Sequence, residues 1–79
     1  MSGWTRTDVF DAEYVSIGHM HSGDAYGVIP GEHNIGDANV GLVVNHGQHR
    51  VIIEGTPVQI LRLVASMLDV ATNAAARQR

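Results

Sequence analysis

Residues 40–57 read VGLVVNHGQHRVIIEGTP: two apolar runs about a polar, glycine-bearing centre, then a glycine, a threonine and a proline. Runs rich in valine and isoleucine that flank such a centre predict a β-hairpin over 40–54. Pairing outward from a two-residue His46-Gly47 loop sets Asn45 opposite Gln48, Leu42 opposite Val51 and Val40 opposite Ile53. One face then collects Val40, Leu42, Val44, Val51 and Ile53, the expected core side. The other collects Asn45, Gln48, Arg50 and Glu54 with Val43 and Ile52. A non-glycine at the first turn position carries a cost, so a longer loop is the open alternative.

The end of the same stretch starts a helix. Thr56 is suited to the N-cap, and Pro57 at the first helical position gives up only an N–H that has no intrahelical partner. No breaker follows up to Ala76, which predicts a helix over 56–76. At about 100° per residue, Ile60, Leu61, Leu63, Val64, Met67, Leu68, Val70, Ala71, Ala74 and Ala75 fall in one half of the cylinder, opposite Arg62, Ser66, Asp69 and Asn73. An arc of about 180° exceeds the roughly 100° stripe that one supporting surface requires. Either a small sheet curls round the helix, or the surplus, Leu63, Met67, Val70 and Ala74, is a contact surface for a second subunit.

Upstream, Ser22-Gly23 suggests another hairpin over 14–30, with His19 facing Tyr26, Ile17 facing Val28 and Val15 facing Pro30. Residues 31–39 form a polar, glycine-bearing loop between the hairpins. The first dozen residues are read as an extended segment or edge strand, with Trp4 and Phe10 as anchors. The expected architecture is α+β: an antiparallel sheet of about four strands, two β-hairpins, packed against one C-terminal amphipathic helix in a single domain over 1–79.

Composition bounds the function. A chain of 79 residues has little core with which to offset the entropy of folding, and the absence of cysteine removes disulfides and thiolate zinc sites as reinforcement. A partner subunit is the remaining source, so a homo-oligomer is expected, with a heterologous protein as the other candidate partner. The net charge is −3, and all five basic residues are arginines, which argues against nucleic-acid binding. No apolar run reaches the length of a membrane span, and the N-terminus lacks a signal-peptide pattern, so the expected location is cytoplasmic.

The stretch HMHSGD, residues 19–24, raises metal chemistry. Alternate histidines on a strand share a face, and His19 and His21 with Asp24, His33 or His46 would make a ligand set for zinc or iron. It resembles the His-x-His openings of metal-dependent hydrolases. The binuclear pattern of those enzymes needs an aspartate two residues after the second histidine, and Asp24 comes three after. The plainer reading makes the histidines rim and turn residues, His46 and His49 beside the second turn included, with Asp24 bonding the first turn's backbone. No nucleophile with a base, no phosphate loop and no dinucleotide fingerprint can be drawn, so neither an enzyme nor a cofactor is expected. Protonating all five histidines would move the formal charge from −3 to +2, which permits a pH response.

Residues 40–76, with the hairpin, the Glu54-Gly55-Thr56-Pro57 junction and the alanine-rich helix, resemble small proteins of actinobacteria and actinobacteriophages. The lack of lysine beside abundant alanine, valine, glycine and arginine agrees with a GC-rich coding region. That resemblance implies a phage accessory protein that acts by binding a host or phage protein.

Overall fold

The computed structural model describes residues 6–29 and 31–78. After a single 3-10 turn over Ala12–Tyr14, capped by the Asp11 carboxylate, the chain forms β1 (Val15–His21) and two short strands, β2 (Ala25–Tyr26) and β3 (His33–Asn34). There follow β4 (Val40–His46), β5 (His49–Gly55) and one long helix, α1 (Pro57–Arg77). The long strands make an antiparallel sheet in the order β1-β4-β5, and β2 and β3 pair separately. The α+β arrangement is as the sequence predicts.

The 40–55 hairpin forms, with its register shifted by two. Asn45 lies opposite Arg50, Leu42 opposite Ile53 and Val40 opposite Gly55, because the turn is Gly47-Gln48 in place of His46-Gly47. The reason is local: Gly47 has φ +58°, and the shift puts the one residue that tolerates this angle at the first turn position. A shift of two preserves the face of every side chain. Val40, Leu42, Val44, Val51 and Ile53 therefore share one face as predicted.

The first hairpin is corrected. Ser22-Gly23 does turn the chain, but β1 pairs along its whole length with β4: Ile17 faces Val44, His19 faces Leu42 and His21 faces Val40. Tyr26 pairs with His33 in the small sheet instead of His19, and Val28 is almost fully exposed. The predicted partner of Val15, Pro30, and the anchor Trp4 lie outside the described residues. Phe10 stacks on His46 with ring centroids 4.5 Å apart.

The helix begins as predicted. The Thr56 hydroxyl accepts from the Gln59 N–H and the Gln59 side chain accepts from the Thr56 N–H, a complete capping box with Pro57 behind it. It packs chiefly on β4 and β5, over the face that carries Leu42 and Ile53. Only Ile60 and Leu63 of its apolar residues are half-buried.

The other face is covered in part by residues 22–29 and 31–39, folded back across the sheet. Ile35 bonds the backbone at Gly23 and Asp24 and lies fully buried, 2% exposed, over Gly41; Val43, two residues further along the same face of β4, is 5% exposed. These two are the buried hydrophobic residues among those described, and both sit on the face that the sequence assigns to solvent.

Candidate interaction surface

Three strands spaced about 4.8 Å apart make a sheet some 14 Å across, whereas a helix with its side chains is about 10–12 Å wide. One helix on β4 and β5 therefore leaves β1 bare on the same face. What remains is an open groove of about 460 Å³, lined by Ile17, Leu42, Val64, Met67, Leu68 and Ala71. Every lining group is aliphatic or a thioether. Ile17 is 65% exposed, Met67 57% and Leu68 64%.

The four residues expected to form the contact surface divide. Met67 lines the groove, Leu63 turns half-buried towards the sheet, and Val70 and Ala74 are exposed without lining the groove. With about 100° between successive residues, Val64, Leu68 and Ala71 lie on one side of Met67, and Val70 lies on the other. The sequence shows the width of the apolar arc. It does not show which part meets the sheet, because that depends on how the helix is set over β4 and β5.

The predicted metal set is dispersed. His19 and His21 remain neighbours on the helix-bearing face of β1, their ring centroids 4.9 Å apart. The Asp24 carboxylate accepts from the His21 backbone N–H at 2.7 Å, as expected of a turn residue. His33 lies on the opposite face beside Tyr26 and Glu54. His46 is at the far end of β4, stacked on Phe10. Among the described residues no three histidines, cysteines or carboxylates come close enough to hold a metal ion.

A polar cluster that the sequence reading missed sits on the covered face. The Glu54 carboxylate accepts from the Gly36 N–H at 2.8 Å, Asn39 Nδ2 at 2.9 Å and the Tyr26 hydroxyl at 3.3 Å, with His33 Nε2 at 3.4 Å. The Asn39 amide, then the Gly36 N–H and the other donors lower its pKa to about 2. The Tyr26 hydroxyl is raised, first by partial removal from water and then by the Glu54 charge. Glu54 thus pins both ends of the covering segment to β5. The only sequence signal was one acidic residue directly after the apolar run Val51–Ile53.

No protein-family model matches the chain, and neither a curated protein nor a solved structure does. Among the described residues no helix is long and apolar enough to cross a membrane.

Proposed function

We propose that this chain is a non-enzymatic protein–protein interaction module that works as a homo-oligomer, a dimer in its simplest form. The observation that carries this is the uncovered apolar face formed by β1, β4 and the flank of α1. Exposed aliphatic groups that are contiguous, and not scattered singly, mark a surface that another protein covers.

The area of the chain supports the reading. It presents 6691 Å² to solvent, whereas a compact monomer of its 8.5 kDa presents about 4,700 Å². Its radius of gyration is 15.2 Å, against about 12 Å for a compact domain of this length. A chain with so little interior gains its missing burial by association, and nothing polar converges in the groove to suggest chemistry there. A host or phage protein, the partner implied by the resemblance of residues 40–76, is the second occupant of the same surface.

Sedimentation equilibrium tests this. The wild-type chain should sediment at a multiple of 8.5 kDa, and Met67→Asp should return it to a single chain or unfold it. A folded wild-type monomer across the micromolar range would overturn the homo-oligomer.

A further inference from the structure

The uncovered face has a definite shape: a trough bounded below by Ile17 and Leu42, on one side by Val64, Leu68 and Ala71, and open on the side of β1. We infer that its occupant is the α1 helix of a second copy of this chain, laid beside the first across a two-fold axis so that each helix fills the other chain's groove. This rests on the homodimer reading above and specifies its contact.

Three observations favour that occupant. The first is the extent of exposed aliphatic surface on the groove side of the helix: Leu61, Val64, Met67 and Leu68 are 41–70% exposed, over about two turns, and a two-fold contact would cover that surface on both chains. The second is self-complementarity. A two-fold contact brings the same patch from both subunits together, and this patch holds both a ridge, Leu61 and Leu68, and the trough beside it. Ala71, small and on the groove flank, lets a second helix approach to the 8–10 Å usual between packed helices. The third is openness. Pockets for small molecules enclose most of the ligand, whereas Ile17, Met67 and Leu68 are more than half exposed and would leave a small apolar ligand largely in water.

The polar residues of the helix agree. Arg62, Asp69 and Asn73 fall on the side away from the groove, so a second helix can enter without burying a charge.

The chain contains no cysteine, so an introduced one is the sole thiol. Leu68→Cys, near the middle of α1, should be joined to its own copy by a short bis-maleimide about tenfold or more faster than Asp69→Cys on the polar side, because association raises the effective concentration of facing thiols. Ala71→Cys, a small exposed replacement, keeps the test valid if Leu68→Cys folds poorly. A dimer in which Ser16→Cys on β1 cross-links, and neither helix variant does, would mean pairing through the sheet edge. That overturns the helix contact and leaves the homodimer standing. A monomer that none of these variants cross-links overturns both.

Discussion

The two faces of the same three strands end in different states, and the face with fewer apolar residues is the better covered. Met20, Val43 and Ile52 share their face with Ser16, Asn45, Arg50 and Glu54, yet Val43 is buried there. The helix-bearing face carries Val15, Ile17, Val40, Leu42, Val44, Val51 and Ile53, and Ile17 remains largely exposed. Covering is decided by the connection, not by the amount of apolar surface. Residues 22–29 and 31–39 fold back onto the sheet as turns and two-residue strands and are tied to it through Glu54. A helix of 21 residues is a rod of about 32 Å laid on strands of about 23 Å, so it overhangs their ends and leaves one strand bare.

The largest effect that separates the faces comes from truncating one side chain on each. Ile35→Ala removes a fully buried side chain and should cost about 3 kcal/mol, read from the urea midpoint and slope. Leu68→Ala removes a side chain 64% exposed within the chain and should cost under about 0.5 kcal/mol if the chain is alone. If α1 of a second copy lies in the groove, the cost of Leu68→Ala should approach that of Ile35→Ala and fall with dilution. Equal, small costs at both positions would break the contrast.

How much of this was legible in the sequence follows the range of the interaction. The Thr56 cap, Pro57 and the faces of the 40–55 hairpin are set by residues within a few positions of one another, and all of them are found. The pairing of β1 with β4 joins residues some 20 to 30 positions apart, while a nearby Ser22-Gly23 turn signal points to a local hairpin. In the covering segment, the sequence points to a hairpin arm up to residue 30 and a loop over 31–39, because strands of two residues carry no periodicity to reveal their pairing. Glu54 could not be recognised as a hub, since its donors at 26, 33, 36 and 39 reach it only once that segment folds back.

A smaller effect tests the covered face from within. A side chain at Gly41 would be crowded: a Cβ there would lie 3.1 Å from Ile35 Cδ1 and 3.4 Å from Ile52 Cγ2 and Met20 Cβ, so its neighbours would have to give by a few tenths of an ångström. Gly41→Ala should cost about 1–2 kcal/mol by crowding. Ile35→Val removes Cδ1 and alone should cost about 1 kcal/mol. Combined, the two changes should cost less than their sum, because the methyl that clashes is the one deleted. Strict additivity in denaturant titrations would mean that Ile35 does not sit on Gly41.

The attachment of the covering segment should depend on acid. The folded-state pKa of Glu54 is lowered from 4.5 to about 2, so its contribution to stability is complete above pH 4.5 and is lost as the pH falls through about 2. Replacing Glu54 with Gln puts an amide among four donors and removes the charge. Glu54→Gln should therefore lower the urea midpoint at pH 7 and flatten its decline between pH 4.5 and 2. An unchanged slope in that window would show that Glu54 does not hold the segment.

The smallest effect concerns the turn that aims Asn39 and Gly36 at Glu54. The Asn39 N–H donates to the Gly36 carbonyl at 3.1 Å, and Ala38 between them has φ +63°, a left-handed angle that glycine accepts without penalty. Ala38→Gly relieves the clash of Cβ with the backbone, which costs about 1 kcal/mol, and gives back part of that through the greater freedom of glycine in the unfolded chain. The net expectation is a gain of about 0.5 kcal/mol, a rise in melting temperature of roughly 2–4 °C for a domain of this size. The gain should disappear in a Glu54→Gln background if the strained turn is held in place by the hydrogen bonds it makes, because the turn is then free to relax whichever residue stands at 38. A gain that persists undiminished would show that the backbone of 36–39 is fixed by the packing of Ile35 alone, and that the polar cluster follows the covering of this face instead of causing it.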